Sequence, residues 1–186
     1  MTVHLSPADA APAVLAFWFD EVGRDRWFAK SDALDAEIRK RFGAWRDAVV
    51  ASSARAWRDT PEHVLAAIIL IDQFSRNLHR GSAAAFAADP LALELTKAAL
   101  ERGWDAGMTP DRRQFLLMPL MHSEALADQQ RALDDFARLG DVDVFDFARR
   151  HHDQIARFGR FPGRNAALGR RSTKVEQVAL DSGAAF

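Results

Sequence analysis

The segment from Arg157 to Thr173 concentrates residue types that bind anions. It contains five arginines and no aspartate or glutamate in seventeen residues. Without them, 20 of the chain's 25 basic residues remain against 26 acidic ones, so the charge is polarised although the net charge is only −1. A guanidinium binds carboxylate or phosphate through parallel hydrogen bonds, and glycine-rich backbone can turn N–H groups toward an anion. The segment predicts an anion-binding surface, unless its arginines pair with internal acids such as Asp72 or Glu124.

Asp72 and Arg76 form a second polar group, near the end of a helix that we predict from Pro61 to about Leu78. Residues 64–70 are apolar on every side of this helix, which indicates a buried, central position. Asp72 and Arg76 are four residues apart and can pair, whereas burying either charge alone would be costly. The sequence leaves two interpretations open, a structural ion pair and the polar floor of a pocket.

Two histidines are candidates for acid–base chemistry. His122 lies on the apolar side of its predicted helix, and Glu124 points about 200° away from it, so one straight helix does not offer both to a metal, although Pro119 allows a kink. His151 lies in the middle of another apolar stripe. A hydrogen-bonded core histidine is the default interpretation of both. Nearby arginines would lower the pKa of His151 and leave a neutral imidazole that can accept a proton.

We predict that these polar residues converge in space, because mutual pairing is the most favourable way to bury them. Asp72 and Glu124 do not neutralise three arginines, so at least one guanidinium should keep donors for a bound anion. Arg160 and Arg164 lie on the glycine-containing segment, and we expect them to be the main ligand contacts. The predicted site consists of Asp72, Arg76, His122, Glu124, His151, Arg157, Arg160, Arg164 and Asn165.

The composition excludes several classes of chemistry. The chain has no cysteine and no tyrosine, so disulfides, thiol nucleophiles, thiolate-bound metals and phenolic acids are excluded. It contains no P-loop, dinucleotide-binding or zinc-protease motif, and we expect no cofactor and no metal. The nearly balanced charge disfavours nucleic acid as a partner. The longest apolar run, Val64–Ile71, is far shorter than the roughly 20 residues of a membrane span, so we expect a soluble, cytoplasmic protein with no membrane contact.

Proline placement predicts the elements that position these residues. Proline is tolerated at the first helical position, and the Ser, Thr or Asp before it can accept a hydrogen bond from the first turn. Four pairs fit this pattern: Ser6-Pro7, Thr60-Pro61, Asp89-Pro90 and Thr109-Pro110. Apolar residues recur at spacings of three and four behind these starts, and no strand is predicted. We predict a single all-α domain over 1–186, with roughly eight helices in antiparallel hairpins and tetratricopeptide-like layers. After Arg157 we expect an irregular segment.

Several motifs resemble a mostly bacterial family, domain-of-unknown-function family 924. They are Val14–Phe19, Trp27-Phe28, Asp72–Asn77, Asp89–Ala92, His122–Glu124, His151–Pro162, Arg164-Asn165, Leu168-Gly169 and Ser172-Thr173. The resemblance covers nearly the whole chain and implies an all-helical, tetratricopeptide-like domain, but it implies no activity. Ser75 stands where the family pattern has Pro, Gly163 stands where His is frequent, and the tail 183–186 lacks the family's two serines.

Two functions of different classes follow from these residues. One is a helical binding module for a small anionic ligand or an acidic peptide end. The other is an enzyme that acts on a phosphorylated or carboxylated small molecule, with His151 or His122 as acid or base and the arginines holding the anion. A third interpretation is a scaffold in which the polar cluster is purely structural.

Overall fold

The computed structural model describes residues 6–185, and this part of the chain is helical and contains no strand. The prediction of an all-α fold with about eight helices is therefore confirmed. The helices are α1 (residues 7–22), α2 (Asp32–Ala51), α3 (residues 61–78), α4 (Asp89–Glu101), α5 (Pro110–His122), α6 (Leu126–Ala137), α7 (Val142–Phe158) and α8 (Lys174–Asp181). No helix among residues 6–185 has the length and apolar character to cross a membrane.

Two helices contain π-helical turns. In α1, Pro7–Ala16 is α-helical and Phe17–Val22 is π-helical. In α3, the π-helical turn Ile69–Gln73 lies between two α-helical stretches. A π turn widens the helix locally and shifts the residues after it relative to a regular 100° step. The polar end of α3 therefore does not keep the regular helical register of its apolar beginning.

The predicted helix starts are correct in position but only partly in chemistry. The Thr60 hydroxyl accepts a hydrogen bond from the His63 N–H at 3.1 Å, as the pattern predicts. Thr109 accepts one from the Arg112 N–H at 3.4 Å. The prediction is wrong for the side chain of Ser6, which caps nothing. It is also wrong for Asp89, because Ala88 occupies the N-cap position and the Asp89 carboxylate binds a guanidinium instead.

The chain forms two compact units. Unit 1 contains residues 6–80 and 84–116, and unit 2 contains residues 81–83 and 117–185. The prediction of one domain over residues 1–186 stays a prediction, and residues 1–5 and Phe186 lie outside the described part. The predicted tetratricopeptide-like layering also stays a prediction.

Unit 1 is built around α3. Every residue from Val64 to Ile71 is at most 1% exposed, which confirms that this helix is central. Helices α1, α2 and α4 pack against it. An aromatic cluster fills the space between the helices, with ring centroids 4.8–6.0 Å apart at preferred tilted or edge-on angles. Its members are Phe17, Trp18, Phe42, Phe74 and Phe115.

Unit 2 contains the hairpin of α6 and α7, which pack against each other across a short connection. Gly159 ends α7 at φ +69°, a left-handed conformation that glycine adopts without steric cost. The chain then runs irregularly to residue 173, as predicted, with one 3₁₀ turn at Pro162–Arg164. The helix that follows, α8, was not predicted.

Candidate functional site

The predicted site residues of unit 1, Asp72 and Arg76, form an ion-pair group with Asp89. The Asp72 carboxylate is fully buried and lies 2.9 Å from Arg76 Nη1, as their spacing predicts. The same guanidinium donates two hydrogen bonds of 3.0 Å to Asp89. Burial acts to lower the pKa of Arg76, but the charges of Asp72 and Asp89 outweigh it and hold the pKa above its ordinary value. Two carboxylates thus hold one half-buried cation.

The remaining predicted residues belong to unit 2, where all of them except Arg157 fall into three groups. The first surrounds Glu124, which lies beyond the end of α5 in the connection to α6, so helix geometry does not set its direction. Its carboxylate accepts two hydrogen bonds from Arg170, at 2.7 and 2.9 Å, and one from the Phe161 N–H at 2.8 Å. Burial acts to raise the pKa of Glu124, but these hydrogen bonds outweigh it and hold the pKa below its usual range.

The second group brings together His122, His151 and Arg164 around Phe161. The imidazole rings of the two histidines lie 6.1 Å apart, and His151 meets the Phe161 ring edge-on at 5.5 Å. Arg164 lies 4.4 Å above the same ring and donates to the His122 carbonyl at 3.0 Å. His151 Nδ1 lies 2.8 Å from the carbonyl oxygen of Phe147. Because a carbonyl only accepts, Nδ1 carries the proton and Nε2 is the basic nitrogen.

The third group is centred on Glu176, which is 2% exposed. Its carboxylate accepts two hydrogen bonds from Arg160, at 2.6 and 2.8 Å, and one from the Thr173 N–H at 2.7 Å. The hydrogen bonds from Arg160 and from Thr173 lower the pKa of Glu176 to about 2. Arg160 also donates to the Arg171 carbonyl at 2.9 Å. Asn165 lies beside this group and donates to Ser172 at 3.1 Å.

Arg157 is placed differently from these pairs. It lies on the exposed side of α7, and its guanidinium contacts the ring of Phe158 at 4.8 Å. Among residues 6–185 it has no carboxylate partner. It lines a cavity of about 160 Å³ together with Arg150, Asp153, Gln154, Phe158 and Ala184. A cation without a counter-ion in a small cavity is the arrangement in which an anion can bind.

Sequence reasoning missed three residues that organise this region: Phe161, Arg170 and Glu176. For Glu176 a signal was available, because Thr173 followed three residues later by Glu is the capping-box pattern of a helix start. The structure forms this box and α8 follows it. For Arg170 and Phe161 no local spacing indicates a partner, since Glu124 is 46 and 37 residues away. The predicted convergence of the unit 2 groups with Asp72 and Arg76 stays a prediction.

Comparison with known proteins gives the family. The family model described as "Bacterial protein of unknown function (DUF924)" matches residues 14–184. The chain belongs to this family. A solved structure of a protein of unknown function from Agrobacterium tumefaciens, 38% identical in sequence, superposes with a TM-score of 0.90 and covers 95% of this chain and 99% of its own. No match is found among the curated proteins.

The DUF924 assignment confirms the resemblance that the motifs indicate, and it carries no activity. The unit 2 groups lie on motifs of the resemblance, since His122–Glu124 and His151–Pro162 supply most of their side chains. In the described part of the chain, no three His, Asp or Glu residues are grouped so that they could hold a metal ion.

Proposed function

We propose that this protein is a helical binding module whose unit 2 recognises a small anionic ligand or the acidic end of a peptide. The observation that carries the proposal is the cavity on α7 that Arg157 lines without a carboxylate partner among residues 6–185. Arg150 lines it as well, seven residues earlier, and residues seven apart lie on the same face of a helix. With two arginines against one acid, Asp153, the lining is net positive, which favours a ligand with several anionic oxygens.

Two other arginines of the segment already have carboxylate partners. Arg160 is held by Glu176 and Arg170 by Glu124, so the charges of these two are already matched within the fold. Within the described part of the chain, Arg157 lacks such a match. The sequence predicts Arg160 and Arg164 as the ligand contacts. In the structure Arg160 donates to Glu176, whose carboxylate also accepts from the Thr173 N–H, and Arg164 donates to the His122 carbonyl. We therefore assign the main ligand contact to Arg157.

The size of the cavity limits the range of ligands that it can bind. Pockets that enclose drug-sized molecules have volumes of about 300–1,000 Å³, and the cavity of about 160 Å³ is smaller than these. It suits a phosphate or carboxylate group, with the rest of the ligand outside it. The Asp153 carboxylate on its lining repels an anion, but the lining carries two arginines against this one acid.

The test is ligand-dependent thermal stability. Phosphate, sulfate or citrate at about ten times its Kd should add about 1.4 kcal/mol to the free energy of unfolding, which is about 3–5 °C in Tm for a chain of this size. Sodium chloride at matched ionic strength is the reference. Arg157→Met should abolish the gain, whereas Arg171→Met, which removes the same charge at an exposed position of the same segment, should keep it.

A short acetylated peptide ending in Glu distinguishes the two ligand sources. If a peptide end is the natural ligand, the free acid should bind more tightly than inorganic phosphate, and the peptide amide should bind more weakly than the acid. Equal Tm gains for wild type and Arg157→Met would contradict the proposal.

A second candidate function is favoured by the geometry of His151. Its Nδ1 donates to the Phe147 carbonyl and its Nε2 is the basic nitrogen, with the His122 ring 6.1 Å away. An anchored imidazole of this kind can act as general acid or base on a phosphorylated or carboxylated small molecule. The test is His151→Gln and His122→Gln on a substrate found by screening. Loss of turnover by a factor of about 10²–10⁴ with intact binding supports the enzyme, and a lowered Tm alone contradicts it.

Location and architecture complete the proposal. A chain without cysteine suits a reducing compartment, and we assign the protein to the cytoplasm. The resemblance to tetratricopeptide-like proteins supports a binding role, because stacked helix pairs present concave surfaces to their partners.

A further inference from the structure

Unit 1 contains a cavity that is unrelated to the arginine segment. Its volume is about 290 Å³, and it lies where the start of α3 meets the residues just before and at the start of α5. Leu65, Trp104 and Met108 give it an apolar lining, and Arg112 and Glu62 give it one cation and one anion. A mainly apolar cavity with a few polar groups is the usual form of a small-molecule site.

Arg112 is the informative residue of this cavity. It is half-buried, and its backbone N–H donates a hydrogen bond to the Thr109 hydroxyl. Its guanidinium lies 5.7 Å over the Phe19 ring. Among residues 6–185 it has no carboxylate partner, whereas the next residue, Arg113, pairs with Asp105 at 2.9 Å. A partly desolvated guanidinium that lies over an aromatic ring, with no carboxylate partner in the described residues, keeps its hydrogen-bond donors available for an anionic group.

We propose that this cavity binds a small monocarboxylic acid with an aromatic or branched apolar body. The carboxylate pairs with Arg112 through two hydrogen bonds, which is the geometry that a guanidinium fork favours. The body packs against the indole ring of Trp104 and the flexible thioether of Met108.

Glu62 sets the charge of the ligand. It lies on the lining and is exposed, so a second anionic group on the ligand would meet a like charge. The unit 1 cavity thus has one arginine against one acid, whereas two arginines and one acid line the proposed anion site of unit 2. The volume of about 290 Å³ has room for a single ring with a short acid chain.

The experiment is a titration of the full chain with phenylacetate, followed by NMR of the tryptophan indole N–H groups. Trp104→Phe assigns the signal of Trp104. That signal should shift in a saturable way with phenylacetate. The neutral analogue phenylacetamide, which has the same ring and nearly the same shape, should bind at least tenfold more weakly.

Variants test whether the Arg112 charge binds the carboxylate of the ligand. Arg112→Met keeps most of the side-chain length and should weaken phenylacetate at least tenfold, whereas Arg112→Lys should keep part of the affinity. Arg55→Met removes one exposed cation of the same unit outside the cavity and should bind phenylacetate as the wild type does. Arg157→Met should also bind it normally, so failure of this proposal and failure of the unit 2 proposal are separate results.

Three outcomes would overturn the inference: no saturable shift of the Trp104 signal, equal affinity for phenylacetate and phenylacetamide, or unchanged affinity in Arg112→Met. If Arg112→Met does not fold, as judged by circular dichroism, the comparison of acid and amide on the wild type still decides.

Discussion

The two units hold their partly buried charges in different ways. In unit 1 the charged groups Asp72 and Arg76 lie on one long helix, whose own backbone hydrogen bonds fix where the side chains are. In unit 2 the charged side chains themselves bind backbone N–H and carbonyl groups that have no helical partner. The Glu124 carboxylate accepts from the Phe161 N–H, and Arg170 donates to the Phe161 carbonyl at 3.0 Å, so one ion pair satisfies both backbone groups of one residue.

The ion pair of Arg160 and Glu176 binds the backbone of the unit 2 segment in the same way. Arg160 donates to the Arg171 carbonyl, and Glu176 accepts from the Thr173 N–H. An unpaired buried backbone group costs about as much as a lost hydrogen bond, so an irregular segment needs partners of this kind. The comparison teaches that the helix positions the charges in unit 1, whereas the charges position the backbone in unit 2.

The largest effect is expected in unit 1 from Arg76→Met. The variant keeps the apolar stem but leaves the fully buried Asp72 carboxylate without its guanidinium at 2.9 Å. Removing one partner of a buried pair costs about 3–5 kcal/mol. Urea denaturation followed by circular dichroism measures the loss of unfolding free energy.

Arg80→Met provides the control in the same unit. Arg80 pairs with Asp35 at 2.8 Å, but the Arg80 side chain is 39% exposed. A pair of this exposure contributes at most about 1 kcal/mol. Equal losses in the two variants would show that burial of Asp72 does not set the energetics of unit 1.

In unit 2 we expect Glu176→Gln to lower the free energy of unfolding by about 2 kcal/mol at neutral pH, because charged hydrogen bonds from Arg160 and from the Thr173 N–H are weakened. The pH dependence gives a second signature. The pKa of Glu176 is about 2 in the fold against an ordinary 4.5, so its ionised form stabilises the fold above about pH 4.5 and this contribution is lost as the pH falls toward 2.

Urea midpoints at pH 6 and pH 3 measure this contribution. The difference between wild type and Glu176→Gln should shrink at the lower pH, while Asp134→Asn, at an exposed position of α6, should change little at either. A constant difference at both values would mean that the Glu176 charge does not hold this segment.

The contrast between the units also explains what the sequence could predict. Helical spacing predicts α3 and the Asp72–Arg76 pair, because both depend on neighbours four residues apart. It does not predict that Arg170 binds Glu124, since an irregular segment has no period that points a side chain toward a residue 46 positions away. Asp89 is a third case. Its type predicts an N-cap, but its carboxylate accepts hydrogen bonds from the Arg76 guanidinium instead, and sequence spacing does not indicate this partner.

Helix caps give the smallest and most local test of the comparison. Thr173 accepts from the Glu176 N–H at 3.2 Å and belongs to a complete capping box, whereas the Ser6 side chain caps nothing. Thr173→Ala should therefore cost about 1 kcal/mol of unfolding free energy, and Ser6→Ala should cost almost nothing although both residues precede a helix. In Glu176→Gln the cost of Thr173→Ala should fall, because the box closes through the same carboxylate. If Thr173→Ala costs as much in Glu176→Gln as in the wild type, the cap of α8 is independent of the ion pair with Arg160. Charge would then position the backbone of unit 2 only in the Glu124 group.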